Sequence, residues 1–423
     1  MTAAVSPALR CPTCRSAIVT TGDAAPWCPA CEWNLDAFEP QRRRPEFGWW
    51  RVDRRTHRLA YRLTRQQFAA LVDAPLDRRS VTTPQVVTTV VALLLLDAVL
   101  SIAAAGVWLV LDDFPRFTII PGPVLLAVAV YLRPRLGKLH PDLTRLDRQA
   151  APALFDLVDR VSAAIGATTP DVIAVDGDFN AYTATVGVRR RRVLCLGLPL
   201  WSVLDAQERV ALIGHEIAHF VSGDQRRGLL TQVAVRTVGE AAVLAAPGRH
   251  TRGGGIIELI GDALATMVQW VVSRFLFGIH LLILWVSQRD WQRAEYLADQ
   301  LAARAAGSAA VARLCDVLVL HDSMDMVIRR EARAHRGPAA WRAAGDQVRR
   351  DAGTSIGIRR QLTQRDEVSL FASHPPAGLR VKMLEQRPAL PAVVVLTEQQ
   401  IERIDRDLDR AAERIRRDLA ADC

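Results

Sequence analysis

Two histidines and a glutamate stand out in the run His215-Glu216-Ile217-Ala218-His219. If 205–221 (DAQERVALIGHEIAHFV) is helical, residues four apart lie one turn apart on one face, and both imidazoles reach a single metal ion. Glu216 then projects beside the metal, placed to take a proton from a water that the metal activates, which is the chemistry of metal-assisted hydrolysis. Ile213, Ile217 and Ala218 make the helix apolar around the pair. Imidazoles buried without partners are costly, which argues against two ordinary surface histidines.

A zinc ion in such a site needs a third protein ligand and keeps its fourth position open. Glu295, in Ala294-Glu295-Tyr296-Leu297-Ala298-Asp299, is the best candidate. Glu295 and Asp299 are spaced i,i+4, where like charges disfavour a helix by roughly a few tenths of a kcal/mol unless a cation lies between them. Zinc on Glu295, with Asp299 accepting the N–H of a ligand histidine, removes that conflict. A solvated acidic face beside Arg293 is the plainer alternative.

A second constellation sits at the N-terminus. Cys11-x2-Cys14 and Cys28-x2-Cys31, thirteen residues apart, have the two-knuckle spacing of a zinc ribbon. Four thiolates from two tight turns give a closed, structural site, and Pro12 and Pro29 suit such turns. A module this small has too little core to fold alone, so the metal supplies most of its stability. Free thiols in a disordered tail are the plainer reading. Cys195, Cys315 and Cys423 are scattered singly, so the cysteines form no disulfide framework and suggest a reducing compartment. The first thirty residues lack an apolar h-region, and no signal peptide is expected.

The elements that must carry these groups follow from the patterning of a 423-residue chain, half of it apolar. After the ribbon-like module (1–40) comes an arginine-dense segment (41–83) with Trp49, Trp50, Tyr61 and Phe68 interleaved. Residues 86–111 are apolar for 26 residues with one charge, Asp97. At ~1.5 Å per residue that crosses ~30 Å of hydrocarbon with some tilt. Asp97 marks either an intramembrane partner or a side chain facing a neighbouring helix. An acidic turn, Asp112-Asp113-Phe114-Pro115, leads to a second, shorter apolar run at 117–132 containing Pro121 and Pro123, so 84–133 reads as a transmembrane hairpin.

The formal charge of +9 is almost all arginine; only Lys138 and Lys382 are lysine. Arg42, Arg43, Arg44, Arg51, Arg54, Arg55, Arg58, Arg62, Arg65, Arg78 and Arg79 precede the first span, and Arg133, Arg135 and Lys138 follow the second. Positive-inside reasoning places both ends in the cytoplasm and the turn outside. The arginine block then reads as a lipid-facing collar, with nucleic acid the less favoured partner. From 138 to 388 lies the expected catalytic domain. It starts with an amphipathic helix at 146–165, then short β-rich runs at Val172–Val175, Tyr182–Val188 and Val193–Leu198. Beyond Leu200 the pattern is helical, with 256–286 apolar apart from Asp262, Arg274 and His280, a further membrane-associated segment. The run 229–246, broken by Arg236 and Glu240, is a weaker one. The tail 397–423 opens with a capping box, Thr397 to Gln400, and repeats Ile401, Ile404, Leu408, Ala411 and Ile415 at helical spacing.

His215-Glu216-x-x-His219 followed by Glu295-Tyr296-x-Ala298-Asp299 resembles the HtpX-type and CAAX-prenyl-protease family of integral-membrane zinc metalloendopeptidases. Gly223-Asp224 after the second histidine, Asn180-Ala181-Tyr182-Thr183 before the zinc helix, and Ser373-His374-Pro375-Pro376 with Arg380 six residues on are similar to further motifs of that family. The resemblance covers roughly 138–388 and says nothing of the ribbon. It implies an α+β, zincin-type metallopeptidase domain, mainly α with a small β-sheet. In it His215, His219 and Glu295 ligate catalytic zinc, Glu216 is the general base and Asp299 holds a ligand from behind. It also implies that His374 and Arg380 stabilise the oxyanion, and that Asn180, Ala181 and Tyr182 begin an edge strand pairing with substrate backbone. On its residues alone, His374 reads as a turn residue before a Pro-Pro stop.

The expectation is therefore a multi-pass protein of the cell inner membrane with its active site and ribbon facing the cytoplasm. It carries one catalytic and one structural Zn2+ and cleaves peptide bonds of membrane or misfolded proteins. Two other functions compete: a prenyl-protein protease, and a non-catalytic ribbon-bearing membrane adaptor or regulatory protein. An intact Glu216 argues against the adaptor, since a purely structural site has no use for a base.

Overall fold

The computed structural model describes residues 3–22, 24–41, 46, 48–76, 83–112, 121–133, 143–187, 189–221, 235, 237–247 and 256–421. Gly223-Asp224, Arg42–Arg44, Arg78, Arg79, Asp113–Pro115, Arg135, Lys138, Arg236 and Cys423 lie outside the described residues. The chain divides into two compact units, one of Met1–Arg79, Gly137–Gly223 and Trp291–Cys423, the other of Ser80–Leu136 and Asp224–Asp290.

The first unit begins with the cysteine module. Strands β1 (Ala3–Arg10) and β2 (Ala17–Thr21) pair antiparallel, and Val19 also bridges Trp27. The two cysteine turns are built alike. Arg15 N donates to Cys11 O and Glu32 N to Cys28 O, each at 2.9 Å, and the residue after each second cysteine is left-handed (Arg15 φ 62°, Glu32 φ 60°). Helix α1 (Trp50–Val72) follows and buries Asp53, His57, Ala60, Thr64, Phe68 and Leu71, a face of helical period. Arg51, Arg54, Arg55, Arg58 and Arg62 project to solvent from its other face, with Trp49 and Trp50 exposed at its start. The part of the arginine-dense segment at 50–72 is thus an amphipathic helix with one face in the core.

The catalytic portion holds a four-stranded sheet of β3 (Thr144–Leu146), β4 (Val172–Asp176), β5 (Ala181–Val186) and β6 (Arg191–Gly197) in the order β3-β4-β6-β5. Strands β4 and β6 are parallel and buried; β5 lies antiparallel on β6 and forms an edge. Where the pattern suggested a helix from 146, Leu146 instead ends β3, paired with Ile173, and helix α4 (Pro152–Ile165) starts at a proline. A proline there needs no N–H partner, whereas Leu146 gains a ladder and an apolar neighbour. Helices α5 (Leu198–Val203) and α6 (Ala206–Val221) follow, then α7 (Ile256–Ala306), whose part from Trp291 on belongs to this unit.

Six more helices complete it: α8 (Ser308–Val319), α9 (His321–Arg333), α10 (Pro338–Ala352), α11 (Ile356–Asp366), α12 (Ala377–Gln386) and α13 (Glu398–Ala421). The mainly α architecture with a small sheet matches the expected class. Helix α13 has its capping box: Gln400 N donates to Thr397 Oγ1 and Thr397 N to Gln400 Oε1. It buries Ile404, Leu408, Ala411, Ile415 and Leu419 in the same core as α4 and α6. Its Asp407 accepts the N–H groups of Ala153 and Leu154, capping α4.

In the second unit α2 (Thr83–Asp112) and α3 (Pro121–Leu132) approach through two glycines. A Cβ on Gly122 would lie 2.6 Å from Val110 Cγ2, and one on Gly106 2.9 Å from Leu126 Cγ, so only glycine allows this spacing. Among the described residues, two helices are long and apolar enough to cross a membrane by length and composition, Thr89–Leu111 and Asp262–Ala306. Their apolar residues, Leu94, Leu100, Trp108, Leu111, Trp270 and Phe275 among them, face outward, as does Asp97. Helix α3 has 12 residues, fewer than the ~20 needed to span. A helical stretch at 237–244 meets α7, where Ser273 Oγ donates to Ala242 O at 2.7 Å and His280 Nδ1 to Val235 O at 2.8 Å.

Candidate active site

Helix α6 starts on a reciprocal cap. Glu208 N donates to Asp205 Oδ1 at 2.8 Å and Asp205 N to Glu208 Oε2 at 3.0 Å. Glu208 is fully buried and is neutralised by Arg349, whose Nη1 and Nη2 reach its two carboxylate oxygens at 2.8 and 2.6 Å. From this anchored start the apolar helix runs through the core, so His215 and Glu216 are buried and His219 half-buried at its far end. A Cβ on Gly214 would lie 3.1 Å from Ala302 Cα. Glycine therefore lets α6 press against α7, and that approach brings Glu295 and Asp299 to the histidines.

His215 Nε2 lies 3.4 Å from Glu295 Oε2, and His219 Nε2 lies 3.5 Å from Glu295 Oε1. The three ligand atoms fall within 4.8 Å of one another. Two ligands at ~2.1 Å from a tetrahedral zinc stand about 3.4 Å apart, so the cluster fits the ion. Glu295 Oε2 makes no hydrogen bond of acceptable geometry, although His215 Nε2 and His374 Nδ1 (2.8 Å) are close to it. A buried carboxylate oxygen in that position is the donor a metal would use.

Behind the cluster His215 Nδ1 is 3.0 Å from Asp299 Oδ1, which sets the tautomer and leaves Nε2 for a metal. Asp299, 1% exposed, is held in turn by Arg380, 5% exposed, through Nε–Oδ2 at 2.8 Å and Nη2–Oδ1 at 2.6 Å. Here the structure departs from the oxyanion role that the resemblance implies for Arg380. Its guanidinium is spent on a bidentate pair behind His215, and its Nη1 comes no nearer than 4.0 Å to Glu295 Oε2. His374 sits on the open side, its side chain 61% exposed.

The electrostatics follow from burial. For His215, burial and the Arg380 charge act to lower the pKa, but the neighbouring Asp299 and Glu295 carboxylates outweigh them and raise it to about 10. Burial pushes the Glu216 carboxyl up to about 7, in the range a proton-transfer group needs. Burial lowers His219 to about 4, so that ring stays neutral and able to donate a lone pair.

Asn180 lies at the start of β5, its carbonyl accepting Gly197 N at 2.8 Å; Ala181 is buried and Tyr182 half-buried, paired in register with Leu196 and Cys195. Thr183, which sequence reasoning left without a role, donates from Oγ1 to Glu216 O at 3.2 Å and ties the edge strand to the zinc helix. Gly214 was also missed, although a glycine inside an apolar helix is itself a signal of close approach.

In the ribbon the sulfurs of Cys11 and Cys31 are 3.5 Å apart and those of Cys14 and Cys28 are 3.4 Å apart, with all four inside 4.8 Å. Four thiolates at ~2.3 Å from one zinc stand about 3.7 Å apart, so this set fits a tetrahedral site; a disulfide would need about 2.05 Å. The Ser16 hydroxyl and N–H lower the Cys14 thiol to about 6, which makes thiolate available to a metal.

Comparison with known proteins agrees with this chemistry. Over 242 residues the chain is 29% identical to Protease HtpX of Xanthomonas oryzae pv. oryzae (strain MAFF 311018), covering 55% of this chain and 70% of that protein. It is 31% identical over 250 residues to a Protease HtpX homolog of Pyrobaculum calidifontis, covering 56% of this chain and 68% of the relative. No solved structure matches. The model of peptidase family M48 matches residues 148–388, the stretch that carries both histidines, Glu295 and Arg380, and the chain belongs to that family of zinc metalloproteases.

Proposed function

We propose that this metalloprotease is a membrane-bound endopeptidase that cleaves membrane or misfolded proteins, with Glu216 as its general base. The observation that carries the reading is the convergence of His215, His219 and Glu295 around one point, with the Glu216 carboxyl buried beside them. Those three residues would hold a zinc ion, which would supply Lewis acidity and lower the pKa of a water to ~7. Glu216, buried beside the three, is placed to take a proton from the attacking water and pass it to the leaving amine. His374, on the open side, donates to the oxyanion that develops on the scissile carbonyl. Arg380 and Asp299 hold His215 in the required tautomer and orientation.

The substrate class rests on β5. An extended peptide laid along this edge strand adds a fifth strand, recognised through main-chain hydrogen bonds and tolerant of sequence. Thr183 on that strand touches the zinc helix, so a peptide paired with β5 runs beside Glu216. Membrane attachment rests on Thr89–Leu111 and the apolar part of α7, and the solvent-facing arginines of α1 favour the anionic cytoplasmic leaflet. The ribbon holds a second, structural zinc.

The test is cleavage of casein by the purified chain and by Glu216→Gln, with zinc measured in both. The variant is expected to keep its zinc and lose about a hundred- to ten-thousandfold in rate. Equal rates would remove Glu216 from the mechanism.

A further inference from the structure

A continuous set of contacts joins the cysteine knuckles to the loop that carries His374, and it runs through α11. On the ribbon side, Trp27 is fully buried and donates from Nε1 to Gln361 Oε1 at 3.1 Å, while Gln361 Nε2 donates to Pro29 O, inside the second knuckle, at 2.8 Å. Arg365, 1% exposed, is clasped by the carbonyls that flank that knuckle. Its Nη1 donates to Ala25 O at 2.8 Å, Nη2 to Asn34 O at 2.9 Å and Nε to Leu35 O at 3.3 Å. Glu39 supplies the countercharge at 3.1 Å, and the guanidinium lies over the Trp27 ring at 5.0 Å.

On the catalytic side the same helix caps α12. Thr363 Oγ1 accepts Gly378 N and Glu367 Oε2 accepts Ala377 N, each at 2.9 Å. A Cβ on Gly378 would sit 1.8 Å from Arg360 O, so the two helices touch with no space for adjustment. Those capped N–H groups directly follow Ser373-His374-Pro375-Pro376, and Arg380 lies one turn further on. A second strut leaves the knuckle itself: Glu32, next to Cys31, accepts Lys382 Nζ of α12 at 3.1 Å and pairs with Arg65 Nη2 at 2.5 Å.

We propose that the ribbon is a metal-dependent brace of the peptidase centre: zinc held by Cys11, Cys14, Cys28 and Cys31 fixes the carbonyls that clasp Arg365, and Arg365 is a positioning residue that sets the His374 loop through α11. The inference rests on the reading that His374 acts at the scissile carbonyl. Among the described residues the ribbon buries Ile18, Val19, Ala24, Trp27 and Leu35 beside Cys11 and Cys28, too small a core to hold its turns without metal. When the second knuckle loosens, a buried guanidinium loses the carbonyls around it and α11 cannot keep its place. A ribbon serving only as an independent binding module would have no use for a buried arginine shared with the catalytic unit.

The test uses the full chain in detergent. Cys14→Ser/Cys31→Ser, Arg365→Ala and Arg365→Lys are made alone and with His374→Ala, and zinc per chain, kcat and KM on a quenched-fluorescence peptide are measured. The cysteine variant is expected to lose one of two zinc ions and about tenfold in kcat at nearly constant KM. Arg365→Ala keeps both ions and shows a similar loss, which Arg365→Lys partly restores. With His374→Ala present, neither change lowers kcat by more than about twofold, because their route already ends there. Wild-type kcat in the cysteine variant or in Arg365→Ala overturns the brace, and so do losses that multiply with His374→Ala. Should Arg365→Ala not fold, Gln361→Ala must show the same pattern at smaller size or the brace is rejected. A Glu216→Gln control that cleaves like wild type would instead sink the peptidase mechanism, independently of the ribbon.

Discussion

Replacing Asp299 by Asn separates what holds the zinc site from what merely stabilises the fold. Asparagine keeps the shape and an oxygen able to accept from His215 Nδ1, now 3.0 Å away, but removes the charge that pairs with Arg380. The pair is almost wholly buried and bidentate, at 2.6 and 2.8 Å. Stranding one member of such a pair costs about 3–5 kcal/mol. The Glu295 carboxylate also faces the guanidinium, with Oε2 at 4.0 Å from Nη1, so Arg380 is drawn towards it. Zinc affinity should therefore fall about 10- to 100-fold, the usual cost of losing a group that supports a ligand. Competition against a chromogenic chelator gives the affinity, and unfolding of chelator-treated protein gives the stability. Adding Arg380→Met removes the stranded charge and should recover most of the stability but little of the affinity. Zinc affinity within twofold of wild type in Asp299→Asn would refute the assignment of Asp299 as the support of His215.

Chelation should abolish casein cleavage, and added zinc should restore it. His374→Ala should lower kcat about a hundredfold with little change in KM, measured on a short peptide, since a donor to the developing oxyanion acts on the transition state alone. Gly214→Val should cost about 1–3 kcal/mol in thermal or denaturant unfolding, because the new side chain meets Ala302 Cα where a Cβ would already be at 3.1 Å, and zinc should be lost with it. The protein should stay with membranes through an alkaline carbonate wash, and replacing four leucines within Thr89–Leu111 by serine should release part of it.

What could be read from the chain depended on distance along it. The histidine pair and the two cysteine pairs are local, and a spacing of three or four residues has one geometric meaning on a helix or in a knuckle. The capping box of α13 is local too, and it formed as its residues suggest. Glu295 lies on another helix, and apart from the family resemblance the conflict of like charges at i,i+4 marked it. Arg365 carried no mark at all. In Thr363-Gln364-Arg365-Asp366 it looks like the polar end of a surface helix, and it is buried only because carbonyls from the N-terminal module fold over it. Arg380 shows the opposite failure. Its motif was legible, but a motif does not say which way a guanidinium turns, and Asp299 decides that by offering two oxygens in a dry site.

The charge of the centre gives a physical reason for a divalent ion there. Three carboxylates, Glu216, Glu295 and Asp299, share a buried space with one guanidinium, which leaves two negative charges to offset when both histidines are neutral. Without a cation the chain can offset them only by binding protons, and this is the direction in which its own groups are pushed: His215 to about 10 and Glu216 to about 7. A zinc ion held by His215, His219 and Glu295 would supply both charges at once, and Glu216 would no longer be pushed to hold a proton. A monovalent ion would leave one charge unbalanced and could not polarise a carbonyl. The four thiolates of the ribbon pose a similar demand, but with every position taken by sulfur they leave no room for a substrate. The two sites are thus divided by their donors, one closed by four sulfurs and one with a side open for a reaction.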